Sequence, residues 1–353
     1  MKTRVIAVCL CLVALVLLLR PYLARKWSAF DTNRMFRGEP VYNGKPLHEW
    51  AIQTENGDYV TGGPSAGAIE AARAIQAIGP KAVPWLIKWM ESPVSDYRTS
   101  GAVYAFKALG SDGKPAIPEL AKILNNKDAM DDYSSWHNAA EAISYLGPEA
   151  IPAMLTAATN LSGRHIRWEL IENLGNMETN GISAIPALIG WTQDKDEWVR
   201  LGAVNALGRI GMEPARVIPV LVKALRDADP LVRRDAASAL GNYGKEAKDA
   251  VPDLIKVLDD ADWQTQTGAI EGLGWIGEQR EVVIPLIIKK LHSNNGIVRR
   301  VSGFALGELG GKEAFDALMQ ATDDPDGFVR EAVFHSLTKI DPNALEKSGK
   351  KFY

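Results

Sequence analysis

Cysteine is nearly missing from this sequence. Cys9 and Cys11 are the only two, and both lie in an apolar N-terminal run, so residues 27–353 can form no disulfide and do no thiol chemistry. Such a chain tolerates either redox compartment. An excess of positive charge is missing as well. The formal net charge is −3, and residues 38–353 alone stand at −9, because seven Lys/Arg but a single Asp fall in residues 1–37. A nucleic-acid groove needs the opposite balance to replace counterions, so nucleic acid is not an expected partner. Motifs that carry chemistry are also lacking. There is no H-E-x-x-H, no G-x-S-x-G and no cysteine cluster. The glycine-rich stretch 59–67, YVTGGPSAG, has neither the Lys-Ser/Thr of a phosphate loop nor the spacing of a dinucleotide fingerprint. No catalytic residue, metal site or cofactor is expected, and the chain reads as a non-enzyme.

One apolar run stands out. Val5–Leu19 follows Lys2 and Arg4 and precedes Arg20, Arg25 and Lys26. Fifteen residues are short of the roughly 20 that span a bilayer and close to the core of a signal peptide. With Pro21 to Ala24 added and Arg20 snorkelling, the run becomes a short anchor. No small-x-small cleavage site follows it. Residues 1–26 are therefore expected to be an uncleaved signal anchor, with the rest of the chain outside the cytoplasm in the cell envelope, or secreted if the segment is cleaved. Basic residues on both flanks leave the orientation open. Residues 27–44 read as a tether.

The rest of the chain repeats. Its unit is clearest at Pro214–Gly244, PARVIPVLVKALRDADPLVRRDAASALGNYG. Ile218, Leu221, Val222 and Leu225 mark one helical face. Pro219 is expected near the start of that helix, where a missing N–H costs little. Asp229 is placed to cap a second helix with Pro230 in its first turn, and Gly244 to end it. Val- or Ile-preceded prolines recur at Pro84, Pro118, Pro152, Pro186, Pro219, Pro252 and Pro285, spaced by 34, 34, 34, 33, 33 and 33 residues. Eight residues after each comes Ser92, Asn126, Asn160, Asp194, Asp227, Asp260 or Ser293, a side chain that bonds turn backbone. Fourteen after comes Arg98, Arg200, Arg233 or Arg299, with Gln266 in the sixth copy, while Arg167 comes fifteen after Pro152; a further copy keeps Asp324 and Arg330. The second copy is interrupted by a few extra residues around Asp131 to Trp136. Neither helix of such a unit can bury its apolar stripe alone, so each unit must stack on its neighbours.

This pattern resembles the HEAT repeat, in particular the phycobilisome-lyase-type variety, on the helix-one proline, the turn Asp and the V-R pairs Val199-Arg200, Val232-Arg233, Val298-Arg299 and Val329-Arg330. The resemblance covers about residues 65–340. It implies an all-α fold, an α-solenoid built as a right-handed superhelix of antiparallel helix pairs, with second helices lining a concave face. The opening Y-x-G-K-P-L-x-x-W at residues 42–50 resembles that of bacterial membrane-anchored HEAT-repeat proteins. The expected organisation is an atypical capping repeat at 45–79, about eight repeats at 80–341 and a polar tail at 342–353. Some proteins with this repeat are di-iron hydroxylases that use repeated His-Glu pairs. Here His48-Glu49 is the one such pair, too few ligands for two irons, and His48 is expected on the surface of a short helix.

The surface carries the remaining functional signal. Arg167, Arg200, Arg233, Arg299 and Arg330 form a ladder, expected down the concave side, each bonded to a turn Asp or Asn or else free to hold a ligand. Trp168, Trp198, Trp263 and Phe328 stand beside it near the starts of second helices. Aromatics next to guanidinium groups suit peptides, glycans or anionic polymers; packing in the seams between repeats is the alternative. The expected function is a non-enzymatic, membrane-tethered scaffold or assembly factor that binds a protein or peptide partner on its concave face. An accessory of a modifying enzyme or a lyase-like protein, and a binder of envelope polysaccharide, are the alternatives.

Overall fold

The computed structural model describes residues 38–54, 65–91, 97–126, 133–160 and 164–343. It opens on a structure that the sequence reading missed. Asn43 and Gly44 both take positive φ, 50° and 74°, and turn β1 (Val41–Tyr42) back onto β2 (Lys45–Pro46) as an antiparallel pair with Val41 opposite Pro46. An Asn-Gly pair is the strongest short-range signal for such a turn. Trp50, on the helix α1 (Leu47–Thr54), holds the hairpin. Its indole N–H donates to the carbonyls of Tyr42 and Lys45 at 3.2 and 3.1 Å, and the Lys45 ammonium lies 4.0 Å above its ring. His48 is not a free surface residue: its Nδ1 lies 2.7 Å from Oε2 of the buried Glu39.

From α1 onward the described residues form nine antiparallel helix pairs. The first helices are α1, α3 (Val83–Met90), α5 (Ile117–Asn125), α7 (Ile151–Asn160), α9 (Ile185–Trp191), α11 (Pro214–Ala224), α13 (Val251–Val257), α15 (Arg280–Leu291) and α17 (Lys312–Gln320). Their partners are α2 (Ala66–Ile78), α4 (Tyr97–Leu109), α6 (Tyr133–Ser144), α8 (Arg164–Asn176), α10 (Glu197–Ile210), α12 (Pro230–Asn242), α14 (Trp263–Ile276), α16 (Gly296–Leu309) and α18 (Gly327–Ile340). Pro84, Pro118, Pro186 and Pro252 open their helices as expected. Pro219 and Pro285 do not. There the chain enters the helix about a turn earlier, after Glu213 and Gln279 at φ 52°, so both prolines lie inside. Asp196, Asp229, Asp262, Asn295 and Asp326 each accept an amide of the first turn of a second helix, the capping foreseen for Asp229.

The two layers pack differently, and that difference gives the array its curvature. Neighbouring second helices meet through glycine and alanine. A Cβ on Gly208 would stand 2.6 Å from that of Ala239, and one on Gly272 would stand 2.4 Å from the carbonyl oxygen of Ala237. Second helices touch their neighbours extensively, while adjacent first helices touch sparingly. The closer layer is the inner one, so the second helices line the concave face. The core lies between the layers, where Leu221, Leu240, Leu254 and Leu273 are fully buried.

The expected membrane location is corrected. Among the described residues no helix is long and apolar enough to cross a membrane. Residues 1–26, on which the expectation rested, and the tether to residue 37 lie outside the described residues, as does most of the 342–353 tail. Of the interruption in the second copy, residues 127–132 also lie outside them. Trp136 is fully buried there, and its indole N–H donates to the carbonyl of Leu124 at 3.2 Å, so it is core.

Candidate functional site

The arginine ladder ties each repeat to the next. Arg200 donates from Nε and Nη2 to the two carboxylate oxygens of Asp227, both at 2.8 Å, and from Nη1 to the carbonyl of Asp194 at 3.0 Å. Arg233 repeats this with Asp260 at 2.9 and 2.9 Å and the Asp227 carbonyl at 2.9 Å. Arg299 does so with Asp324 at 2.8 and 2.9 Å and the Ser293 carbonyl at 2.9 Å. Arg167 makes one such bond, Nη2 to Asp194 at 2.8 Å. At the sixth copy, where Gln266 replaces arginine, the residue facing it in the next turn is Ser293 rather than aspartate, and Gln266 keeps only the carbonyl contact, to Asp260 at 2.7 Å. The two changes go together because a neutral amide offers no fork to a carboxylate. The ladder therefore runs along the edge formed by the intra-repeat turns, not down the concave side. Burial alone would raise the proton affinity of Asp194, Asp227 and Asp260, but the guanidinium and amide hydrogen bonds outweigh it and hold all three below their ordinary 3.8; at Asp324 the bond from Arg299 is the leading cause of the same shift.

The four aromatics separate into two pairs. Trp168 and Trp198 are half-buried and meet edge to face, 6.3 Å between centroids, across the seam of α8 and α10. Gly202 makes room, since a Cβ there would stand 3.1 Å from Trp168. Trp263 and Phe328 remain exposed, Phe328 at 68%.

The concave surface presents a second set that the sequence reading passed over. Five residues after the ladder position, α8 to α18 carry Glu172, Asn205, Ser238, Glu271, Phe304 and His335 in turn; nine after, Asn176, Arg209, Asn242, Trp275, Glu308 and Lys339. Polar side chains fill this surface except at Trp275 and Phe304, which are 47% and 42% exposed. The Phe304 ring meets that of His335 edge-on at 6.0 Å. The register itself was the signal: large rings stand where equivalent repeats place Arg209 and Asn242, or Asn205 and Ser238.

Carboxylates stand along the same series of second helices, Glu172 on α8, Asp235 on α12 and Glu271 on α14. Glu172 pairs with Arg209 at 3.1 Å and is 14% exposed, and among the described residues its buried Oε1 has no hydrogen-bond partner. Glu271 accepts from Ser238 at 3.1 Å, and Asp235 pairs with Arg234 at 2.6 Å. Burial pushes the proton affinity of Glu172 up, against the pull of Arg209, and that of Glu271 up, against the Ser238 bond. The sign is opposite to that of the ladder. A carboxyl whose folded value is raised contributes stability below its unfolded value and loses it as the pH rises through the folded one. Glu172→Gln is therefore expected to raise stability at pH 8 by about 1 kcal/mol, with the gain shrinking towards pH 4.5. Urea unfolding midpoints at the two pH values check this; an equal effect at both removes the titration argument.

A model of HEAT repeats matches residues 151–241, 218–287 and 284–348, more than half of the chain. The chain belongs to the HEAT-repeat family. No curated protein matches it in sequence. Among solved structures, this HEAT array is similar to the karyopherin Kap121p bound to the extreme C-terminus of the protein phosphatase Cdc14p, with TM-score 0.56 and 16% identity over 78% of this chain and 36% of the karyopherin. It thus spans about a third of the length of that relative. The CpcE–CpcF complex of phycocyanin lyase from Nostoc sp. PCC7120 matches at TM-score 0.40 and 21% identity, over 64% and 94% of the two chains. Human deoxyhypusine hydroxylase in complex with glycerol matches at 0.31 and 20%, over 84% and 95%. These are likenesses of fold.

Within the HEAT array, open clefts of about 440 and 210 Å³ lie away from the concave face. The larger is lined from α15 and α17 by residues such as Ile288, Lys312 and Asp316, the smaller from the α11 and α13 edge by residues such as Arg226 and Asp253. Among the described residues no three His, Cys, Asp or Glu side chains are placed to hold one metal ion.

Proposed function

We propose that this HEAT array is a non-enzymatic scaffold that holds an extended segment of a partner protein on the concave face of its C-terminal half. Apolar side chains of the segment rest on Trp275 and Phe304, and cationic ones meet Asp235 and Glu271. The carrying observation is the pair of exposed rings on consecutive second helices, at positions where the other repeats place polar groups. Aromatic anchors in a polar surround are the usual centre of a protein interface. Carboxylates that burial makes costly to ionise add to the reading, because groups kept against stability are characteristic of binding surfaces. Kap121p, similar in fold, is itself bound to the C-terminus of Cdc14p.

The test is cross-linking and capture with wild type and a Trp275→Ala/Phe304→Ala variant. Both rings are about half exposed, so the variant should fold, with stability changed by about 1 kcal/mol or less. A protein held by the wild type and lost by the folded variant supports the reading. The same protein held equally by both sinks it, and retention of a polysaccharide in its place favours polymer binding.

A further inference from the structure

The two rings of the concave patch stand on either side of one seam, between α14 and α16, and that seam is tied less than its neighbours. On the turn edge it has no rung. Gln266 and Ser293 stand where the seams before and after it have Arg233–Asp260 and Arg299–Asp324. On the concave surface, Glu172–Arg209 ties α8 to α10 at 3.1 Å, and Asn242 Nδ2 ties α12 to the Gly208 carbonyl of α10 at 3.3 Å. The Ser238–Glu271 bond ties α12 to α14 at 3.1 Å, and Lys339–Glu308 ties α16 to α18 at 2.6 Å. Among the described residues, α14 and α16 share no side-chain hydrogen bond or ion pair. Lys290 on α15 crosses the seam at the turn edge, reaching Asp259 at 2.8 Å and Gln266 at 3.5 Å. Asp259 is 77% exposed, so this bond from a flexible side chain holds little. The helices themselves meet at Gly274 and Ala305, where a Cβ on the glycine would lie 3.0 Å from that of the alanine. Such a contact is close but has no direction, so it resists separation more than rocking.

We propose that the α14–α16 seam is a joint in the array and that it sets the spacing of Trp275 and Phe304. Trp275 follows Gly274 in the chain and Phe304 precedes Ala305, so the rings flank the contact about which the helices rock. Every other pair of neighbouring second helices from α8 to α18 is held both at the turn edge and on the concave surface. A partner that rests on both rings fixes the joint at one setting, which couples binding to curvature. That coupling rests on the concave-face reading; the joint does not. The neutral pair keeps the place of a rung. Gln266 Nε2 donates to the Asp260 carbonyl at 2.7 Å, as the ladder arginines do from Nη1, and Ser293 Oγ accepts the Asn295 amide at 3.2 Å, as Asp260 accepts that of Asp262. Gln266→Arg with Ser293→Asp should therefore complete the rung and close the joint.

The test uses the full chain with Cys9 and Cys11 replaced by serine and spin labels on introduced cysteines. The labelled sites share one repeat position and are all exposed: Gly190 on α9, Lys223 on α11, Lys256 on α13 and Lys289 on α15. The pair Lys223→Cys/Lys289→Cys spans the α12–α14 and α14–α16 seams, and Gly190→Cys/Lys256→Cys spans α10–α12 and α12–α14. In pulsed dipolar EPR the first pair should give a distance distribution about twice as broad as the second. Gln266→Arg/Ser293→Asp should narrow it to the breadth of the second. Equal breadths without those two substitutions overturn the joint, and so does a breadth that they leave unchanged. The rung-completed chain then goes through the cross-linking capture. Its retention of the protein held by wild type should change by about threefold or more, up if the rung fixes the bound setting and down if it fixes another. Equal retention overturns the coupling of joint and site. If wild type holds no protein, the concave-face reading fails, while the distance distributions still decide the joint.

Discussion

Gly272→Ala is expected to cost about 3 kcal/mol, a large price for one methyl group. A Cβ on Gly272 would lie 2.4 Å from the carbonyl oxygen of Ala237 and 3.2 Å from its carbon. Both atoms belong to the backbone of α12, so no side chain can swing aside and the two second helices must separate. Because a repeat array is stabilised through nearest-neighbour interfaces, the damage should stay local. Urea unfolding should split into two transitions, with hydrogen exchange rising first on either side of the α12–α14 seam. Gly190→Ala is the control. Nothing lies within 4 Å of a Cβ there, and the residue is exposed on α9. Alanine should then stabilise by about 0.5–1 kcal/mol, since glycine is the poorer helix former. Equal midpoints for Gly272→Ala and wild type would mean that the seam is not packed this closely.

Breaking one rung should have the next largest effect. Arg233→Ala leaves Asp260 with only the Asp262 amide and strips a donor from the Asp227 carbonyl. The Arg233 and Asp260 side chains are 17% and 18% exposed, so solvent screens the pair in part, and the expected loss is about 2 kcal/mol. A cycle with Asp260→Ala should return a coupling of about 1–2 kcal/mol; a coupling near zero would make the rung ornamental. The pH dependence follows from the depressed carboxyls. Their contribution is complete above the ordinary value of 3.8 and is lost as the pH falls through their lower folded values. Wild type should lose stability on acidification below about pH 4, and Arg233→Ala should lose less over the same range.

These effects also explain which functional residues were legible. The turn aspartates and the arginines recur at fixed offsets, so their pairing could be read as one of two meanings, and the geometry assigns the four paired arginines to joining repeats. Their place on the turn edge depends on side-chain direction and not on spacing. Trp275 and Phe304 escaped notice because an aromatic on a helix is most often core. Only knowing which face of α14 and α16 turns inward separates Trp275 from the fully buried Trp136. The hairpin at Asn43-Gly44 was legible and went unread. The early helix starts before Pro219 and Pro285 were not, since they rest on two residues in a left-handed conformation.

The sequence by itself determined the repeat, its 33- or 34-residue period, the caps and the recurrence of the turn acids and the arginines, because these are local or fall at nearly constant offsets from copy to copy. Tertiary structure decided the rest. Whether a ring is covered or exposed, which turn's carboxylate a guanidinium faces, and which layer of helices is the inner one all depend on atoms about one repeat or more away along the chain. Those contacts arise only when units stack, and close backbone approach through glycine and alanine sets how tightly they do so.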